Sequence, residues 1–246
     1  MTPVGEPGAE FGGGLRAAKG SLRVLHDMYS ARIAYFDAAI RSRFLDRPCS
    51  AARVLDIGCG GQVGAALAQV GYDVTSVDLT AGAGQAPEST VDRRPGSAYD
   101  LPFADRAADV VVVSDVLAQL RDVPAGIAQI TRVLRPGGLL LFDAINRTVR
   151  SYLVTILLAE RVLRVRRPGT HDWRMFIRPG ELRAALAEHG IVLAEIRGLM
   201  PARPPHRLIG SVLRGRGLAE FELNNSVGVG YVGHGVKEPA RFSAVR

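Results

Sequence analysis

The stretch ARVLDIGCGGQVGAALAQVGYDVTSVDL, residues 52–79, reads as strand, glycine turn, helix and strand in succession. ARVLDIGCG (52–60) is a short apolar run ending in glycines, VGAALAQVG (63–71) has the spacing of a helix stopped by Gly71, and YDVTSVDL (72–79) returns to strand-like content. Glycines between a strand and a helix let the backbone approach a ligand that side chains would hold away. The neighbouring charges narrow the ligand. Asp56, two residues before Gly58, would repel a pyrophosphate, so a cationic ligand suits the turn better. Asp78 closes the second strand 20 residues after Gly58, where a carboxylate can accept hydrogen bonds from both hydroxyls of a ribose.

The alternation continues downstream. DVVVVSDVL (109–117) is almost entirely valine, as expected of a strand covered on both faces of a parallel sheet. Ile127, Ile130, Val133 and Leu134 fall at helical spacing, RPGG ends that helix, and LLLFDA (139–144) is a further buried strand. PGELRAALAEHG (179–190) has Pro in its first turn and Gly past its end, the usual asymmetry of a helix. IVLAEIRGLM (191–200) and SVGVGYVGHGV (226–236) supply the last two strands. Upstream, Leu22, Leu25, Met28, Ile33, Phe36 and Ile40 give residues 21–44 a helical period, while residues 1–20 read as a disordered tail. TAGAGQAPESTVDRRPG (80–96) is too polar and too rich in Pro and Gly to assign. Strands alternating with helices predict a doubly wound α/β sheet in one domain over 21–246.

With 246 residues and 47% hydrophobic content, the chain can bury one substantial core. A net charge of +7, carried by 31 basic against 24 acidic residues, favours an anionic contact, and Lys19 and Lys237 are the only lysines. The N-terminus lacks the pattern of a signal peptide, Cys49 and Cys59 are too few for a disulfide framework, and no run reaches the roughly 18–20 apolar residues of a membrane span. A cytoplasmic protein is expected. The most basic segment, RTVRSYLVTILLAERVLRVRRPGTHDW (147–173), alternates arginine with aliphatic residues and offers few aromatic platforms, which argues against nucleic acid as its partner.

Acid, strand end, GxGG and ribose carboxylate together resemble the class I S-adenosylmethionine-dependent methyltransferases, with VLDIGCGG (54–61) as their first motif, GSAYDLPF (96–103) as the adenine-side motif and LRPGG (134–138) before strand five. The segment NRTVRSYLVTILLAERVLRVRRPGTHDWRMFIRPGEL (146–182), with its GTHDW and FIRP runs, narrows the resemblance to the UbiG-type O-methyltransferases of ubiquinone biosynthesis. SARIAYF (30–36) and VGYVGHGVK (229–237) extend it. The resemblance implies a mostly parallel, seven-stranded Rossmann-like sheet with a helical lid inserted after strand five, at 146–178. It also implies S-adenosylmethionine as cofactor, held by Arg32 on the methionine carboxylate and by Asp56, Gly58, Gly60, Gly61, Asp78, Leu79, Ser97, Ala98 and Ser114. Ser97 stands where the family commonly has an acid.

The family motif E-x-x-E-H becomes Asp115-Val116-Leu117-Ala118-Gln119, which keeps the first acid and loses the second acid and the histidine. Those positions are associated in the family with a divalent metal and with activation of a phenolic hydroxyl, so no metal ligands are assigned. Asp115 and His171 are the candidate catalytic residues, although a helix cap or turn would also suit Asp115 and a loop-pinning hydrogen bond would also suit His171. The expected acceptor is a phenol or catechol, and a lipid-tailed quinone precursor fits the narrower family. Residues 147–167, with Arg150, Arg161 and Arg164 in one stripe beside Glu160 on a regular helix, would suit a lid, a dimer contact or the surface of an anionic membrane. Three other functions are compatible with parts of the pattern. A same-fold enzyme of secondary metabolism is favoured by Gln119, and a non-catalytic relative is suggested by Ala118 and Gln119. An NAD-dependent oxidoreductase shares the glycine loop but is disfavoured by Asp56.

Overall fold

Eight strands form one sheet in the computed structural model, which describes residues 19–58, 62–78, 91–162, 168–201 and 221–239. They are β1 (Arg53–Gly58), β2 (Asp73–Asp78), β3 (Asp92–Pro95), β4 (Ala108–Ser114), β5 (Leu134–Ile145), β6 (Ile191–Pro201), β7 (Phe221–Asn224) and β8 (Gly230–Lys237). Their order across the sheet is β3-β2-β1-β4-β5-β8-β6-β7. The first five in that order run parallel, and β8 then pairs antiparallel with both β5 and β6.

Valine-rich β4 organises the two core layers, because successive side chains of a strand point to opposite faces. Val111 and Val113 enter one layer with α3 (Val123–Val133) and α5 (Pro179–Glu188), through Ile127, Ile130, Leu182 and Leu186. Val110 and Val112 enter the other with α1 (Lys19–Arg43) and α2 (Gln62–Val70), through Phe36, Ile40, Val63 and Leu67. All seven β4 residues are buried, and each valine contributes about 1.5–3 kcal/mol of burial. Gly190 takes φ +72° past the end of α5, as read from the sequence, and Asp122 Oδ1, which the sequence reading did not single out, accepts from Ala125 N (3.0 Å) at the start of α3.

The sheet has one strand more than the seven expected. β7 is a four-residue edge strand that pairs with the end of β6, and its sequence FELN carries no strand-length apolar pattern. β3, DRRP, falls in the stretch that the sequence left unassigned. As an edge strand it needs no apolar face, and an edge is where a sheet tolerates a proline such as Pro95. Helix α1 begins at Lys19, within the stretch read as tail, and β5 begins at Leu134, where the sequence suggested the end of a helix.

The insertion after β5 opens on a reciprocal cap: Thr148 Oγ1 accepts from Ser151 N (3.0 Å) and Ser151 Oγ accepts from Thr148 N (3.2 Å). The short α4 (Val149–Ser151) passes into a π-helix over Tyr152–Val162. This i→i+5 winding replaces the regular helix on which the arginine stripe was projected. Arg150 and Arg161 are exposed, but Glu160 turns inward and is only 1% exposed. Arg164 lies outside the described residues. Thr148 Oγ1 donates to Gly228 O (2.7 Å), and Trp173 Nε1 donates to Thr148 O (3.1 Å), tying the insertion to the loop before β8. Among the described residues no helix is long and apolar enough to cross a membrane.

Candidate active site

Parallel pairing sets three strand ends side by side, because Gly58 of β1 is in register with Asp78 of β2 and with Ser114 of β4. The chain order reverses between β1 and β4, which is where open α/β sheets bind ligands beyond the carboxyl ends of their strands. A crevice of about 230 Å³ opens there, lined by Tyr29, Asp56, Gly58, Gln62, Val63, Ser114 and Asp115. Of the residues expected to hold the cofactor, Asp56, Gly58 and Ser114 thus share one cavity, together with the catalytic candidate Asp115. Gly60, Gly61 and Leu79 lie outside the described residues, as does the side chain of Asp78.

Asp56 is buried and anchors the start of α2. Its Oδ2 accepts from Gly64 N (3.0 Å) and from Ser76 Oγ (3.3 Å). The approach is so close that a Cβ on Gly64 would stand 2.6 Å from both Asp56 Oδ2 and Ser76 Oγ. Gly64 was missed in the sequence, where it passes for an ordinary small residue of a helix.

Arg32 sits behind the crevice. Its buried guanidinium donates from Nη1 to Ser114 Oγ (2.7 Å) and from Nη2 to Asp115 Oδ1 (3.3 Å), and it pairs with Asp115 Oδ2 (3.3 Å) and Asp143 Oδ2 (3.2 Å). Burial works against its charge, but Asp115, Asp143 and Tyr29 outweigh it and raise its pKa further. The Nη groups are committed to protein oxygens. Among the described residues Nε is the guanidinium nitrogen left without an acceptor, and the expected contact with a cofactor carboxylate would have to use it or displace an internal partner.

Asp115 follows β4 in the left-handed region, with φ +57°, a conformation that costs a residue with a side chain about 1–3 kcal/mol unless its surroundings fix it. They do. Its amide donates to Asp143 Oδ1 (3.2 Å), its Oδ2 accepts from Tyr29 Oη (2.7 Å), and Gln119 Nε2 donates to its carbonyl. Gln119, which replaces the family histidine, therefore tightens this turn. Tyr29 lies one helical turn from Arg32 and its ring covers the guanidinium at 5.0 Å.

The remaining candidates do not line the crevice among the described residues. Ser97 closes a turn, with its Oγ accepting from Tyr99 N (3.1 Å), and the neighbouring Ala98 is buried. His171 lies in the insertion with Nδ1 2.6 Å from Glu160 Oε1, and the same carboxylate accepts from His171 N (3.0 Å) and Gly169 N (2.8 Å). That arrangement pins the loop and orients the imidazole. Asp143, unnoticed in the run LLLFDA, joins the site from β5.

The crevice fits the expected cofactor chemically. Asp56 and Asp115 present carboxylates to it, and Gly58 leaves its floor free of a side chain. A divalent cation fits less well, since Arg32 already compensates Asp115 and Asp143. Among the described residues no group of three or more His, Cys, Asp or Glu could hold a metal.

Residues 55–142 match the family model described as methyltransferase domain. A ubiquinone biosynthesis O-methyltransferase from Methylobacterium sp. is 36% identical over 194 residues, covering 74% of this chain and 78% of the relative. One from Hahella chejuensis is 33% identical over 235 residues, covering 89% and 88%. Among solved structures, a SAM-dependent methyltransferase from Thermotoga maritima aligns with a TM-score of 0.60 at 17% identity, over 87% of this chain and 92% of that one. Another from Aquifex aeolicus aligns with a TM-score of 0.54 at 12% identity, over 89% and 96%. At those distances the structures speak for the fold, and the curated relatives speak for the family. The chain belongs to the family of the ubiquinone biosynthesis O-methyltransferases and is a SAM-dependent methyltransferase.

Proposed function

We propose that this enzyme methylates the hydroxyl of a phenol or catechol that carries an apolar tail, of the kind found in quinone precursors. The observation that carries this reading is Asp115, a carboxylate at the mouth of a crevice suited to a cationic nucleoside, in a chain 33–36% identical to enzymes named for ubiquinone biosynthesis. When bound, the cofactor supplies a methyl group on a positively charged sulfur. The protein's task is to hold a nucleophilic oxygen in line with that carbon and to remove its proton. A phenol, with a pKa near 10, gives up its proton more readily beside a base. Asp115 is held rigidly enough to be that base, with Tyr29 and Arg32 fixing its two oxygens.

His171 is the second candidate. Its Nδ1 is turned to the buried Glu160, which leaves Nε2 as the basic nitrogen if the neutral form carries its proton on Nδ1. The loss of the acid and histidine at Ala118 and Gln119 favours a second reading, an acceptor from secondary metabolism with its own mode of activation.

Labelled methyl donor, incubated with the enzyme and catechols with and without a prenyl tail, should label the tailed catechol preferentially. Excess chelator should leave that rate unchanged, because the acidic pair already has its cation in Arg32. No label in any catechol contradicts the proposal, and a chelator-sensitive rate contradicts the role given to Arg32.

The insertion suits access to a tailed substrate. Val149, Tyr152 and Leu153 are 73%, 36% and 49% exposed, with Arg150 and Arg161 exposed beside them, a combination that binds anionic bilayer surfaces. Co-sedimentation with phosphatidylglycerol vesicles should exceed that with neutral vesicles. Equal sedimentation would leave the segment as a lid or a protein contact.

A further inference from the structure

We propose that Asp143 is a positioning residue of the methyl-transfer site, which sets both the Asp115 turn and the Arg32 guanidinium for cofactor binding. The proposal rests on the reading of the crevice as the cofactor site, and it assigns a part to a residue outside every motif that carries the family resemblance.

The geometry gives one oxygen of Asp143 to each task. Oδ1 accepts the Asp115 amide at 3.2 Å, which secures a residue at φ +57° immediately beyond β4. Oδ2 lies 3.2 Å from Arg32 Nη2, and the same guanidinium reaches both oxygens of Asp115 and Ser114 Oγ. Asp143 is 6% exposed and does not line the crevice, so it acts through these partners and touches no ligand directly. It sits in a run of otherwise apolar buried residues, where a carboxylate is costly unless it is paired.

Other groups near Asp143 limit what else could titrate in its place. Helix α1 contributes Arg32, which stays charged, and Tyr29, whose hydroxyl donates to Asp115. The end of β4 contributes Ser114 and Asp115. From β8 comes Tyr231, which donates to Ile177 O (2.9 Å) and is held neutral by burial, with the charges of Glu181 and Asp143 adding to the effect. Burial pushes the Asp143 carboxyl up to about 7, opposed by Arg32, increased by the Asp115 charge and opposed again by the hydrogen bonds from Ser114 and the Asp115 amide. Ionised Asp143 accepts both bonds strongly; protonated Asp143 weakens its hold on Arg32. Binding competence should therefore rise with pH through the neutral range. If only the ionised form is competent, affinity rises about tenfold between pH 6 and 8.

The experiment is calorimetric titration of S-adenosylmethionine into the full chain and its Asp143→Asn variant from pH 6 to 8, with thermal melting at each pH as the folding control. Asp143→Ser keeps an acceptor for the Asp115 amide and carries the same test if the asparagine variant does not fold. The proposal predicts rising affinity in the wild type and a flat, weak affinity in the variant. Equal affinities at every pH, or a variant weaker by one constant factor, would overturn it. A wild-type protein that binds no S-adenosylmethionine at any pH would instead remove the reading of the crevice itself.

Discussion

Asp115→Asn should lower the turnover of a catechol by about 10²–10⁴-fold, the range of a well-placed general base, while changing affinity for S-adenosylhomocysteine by no more than about threefold. The substitution preserves shape. Tyr29 can still donate to the amide oxygen, and Arg32 keeps Ser114 and Asp143, so the turn after β4 retains its other supports. What disappears is the capacity to take a proton from the acceptor hydroxyl. Single-turnover kinetics with saturating cofactor separates the two effects. If activity survives within about threefold, the proton goes elsewhere, and His171, oriented by Glu160, becomes the group to replace next.

Gly64→Val should produce the largest loss of stability among substitutions near the site. Any Cβ at this position meets the Asp56 carboxylate and the Ser76 hydroxyl at 2.6 Å and Asp56 Cβ at 3.0 Å, and both residues are buried. Helix α2 must lift, which breaks the Gly64 N to Asp56 bond and leaves a buried carboxylate short of a donor. Overpacking costs about 1–3 kcal/mol, and a hydrogen bond to a charged group contributes about 1.5–3 kcal/mol. Together, a loss of about 3 kcal/mol or more should lower Tm by roughly 6–12 °C in a domain of this size. Cofactor affinity should fall with it, since the same movement shifts Gln62 and Val63 at the crevice wall. A variant with the wild-type melting temperature would mean that α2 does not pack this tightly on β1 and β2.

The parts of the fold that sequence made legible are those in which burial and backbone geometry act together. β1, α2 and β2 combine apolar runs with glycines at the turns, and β4 is apolar on both faces because both faces are covered. β3 and β7 carry no such signal, since a four-residue edge strand draws its pairing from a neighbour and needs no apolar face. The π-helix was illegible for a related reason: a 3.6-residue projection places Glu160 in a basic, solvated stripe, whereas the wider winding buries it against the Gly169 and His171 amides.

The site was partly legible in the same sense. Gly58 and Ser114 meet at the crevice by strand register, with Asp56 two residues before the end of β1 and Asp115 one residue beyond β4. Arg32 was found by resemblance, yet its strongest contacts are internal. Two signals in the sequence would have revealed more. Tyr29 is three residues from Arg32 on a helix, hence on the same face, and Asp143 is a lone carboxylate in a strand otherwise fit for a core.

The most direct measurement is isothermal titration of the purified full chain with S-adenosylhomocysteine, with NAD as the control ligand. A carboxylate-lined cleft built for a sulfur nucleoside predicts saturable binding of S-adenosylhomocysteine at one site per chain and no heat from NAD. Silence toward S-adenosylhomocysteine, or saturable uptake of NAD in its place, would contradict the account.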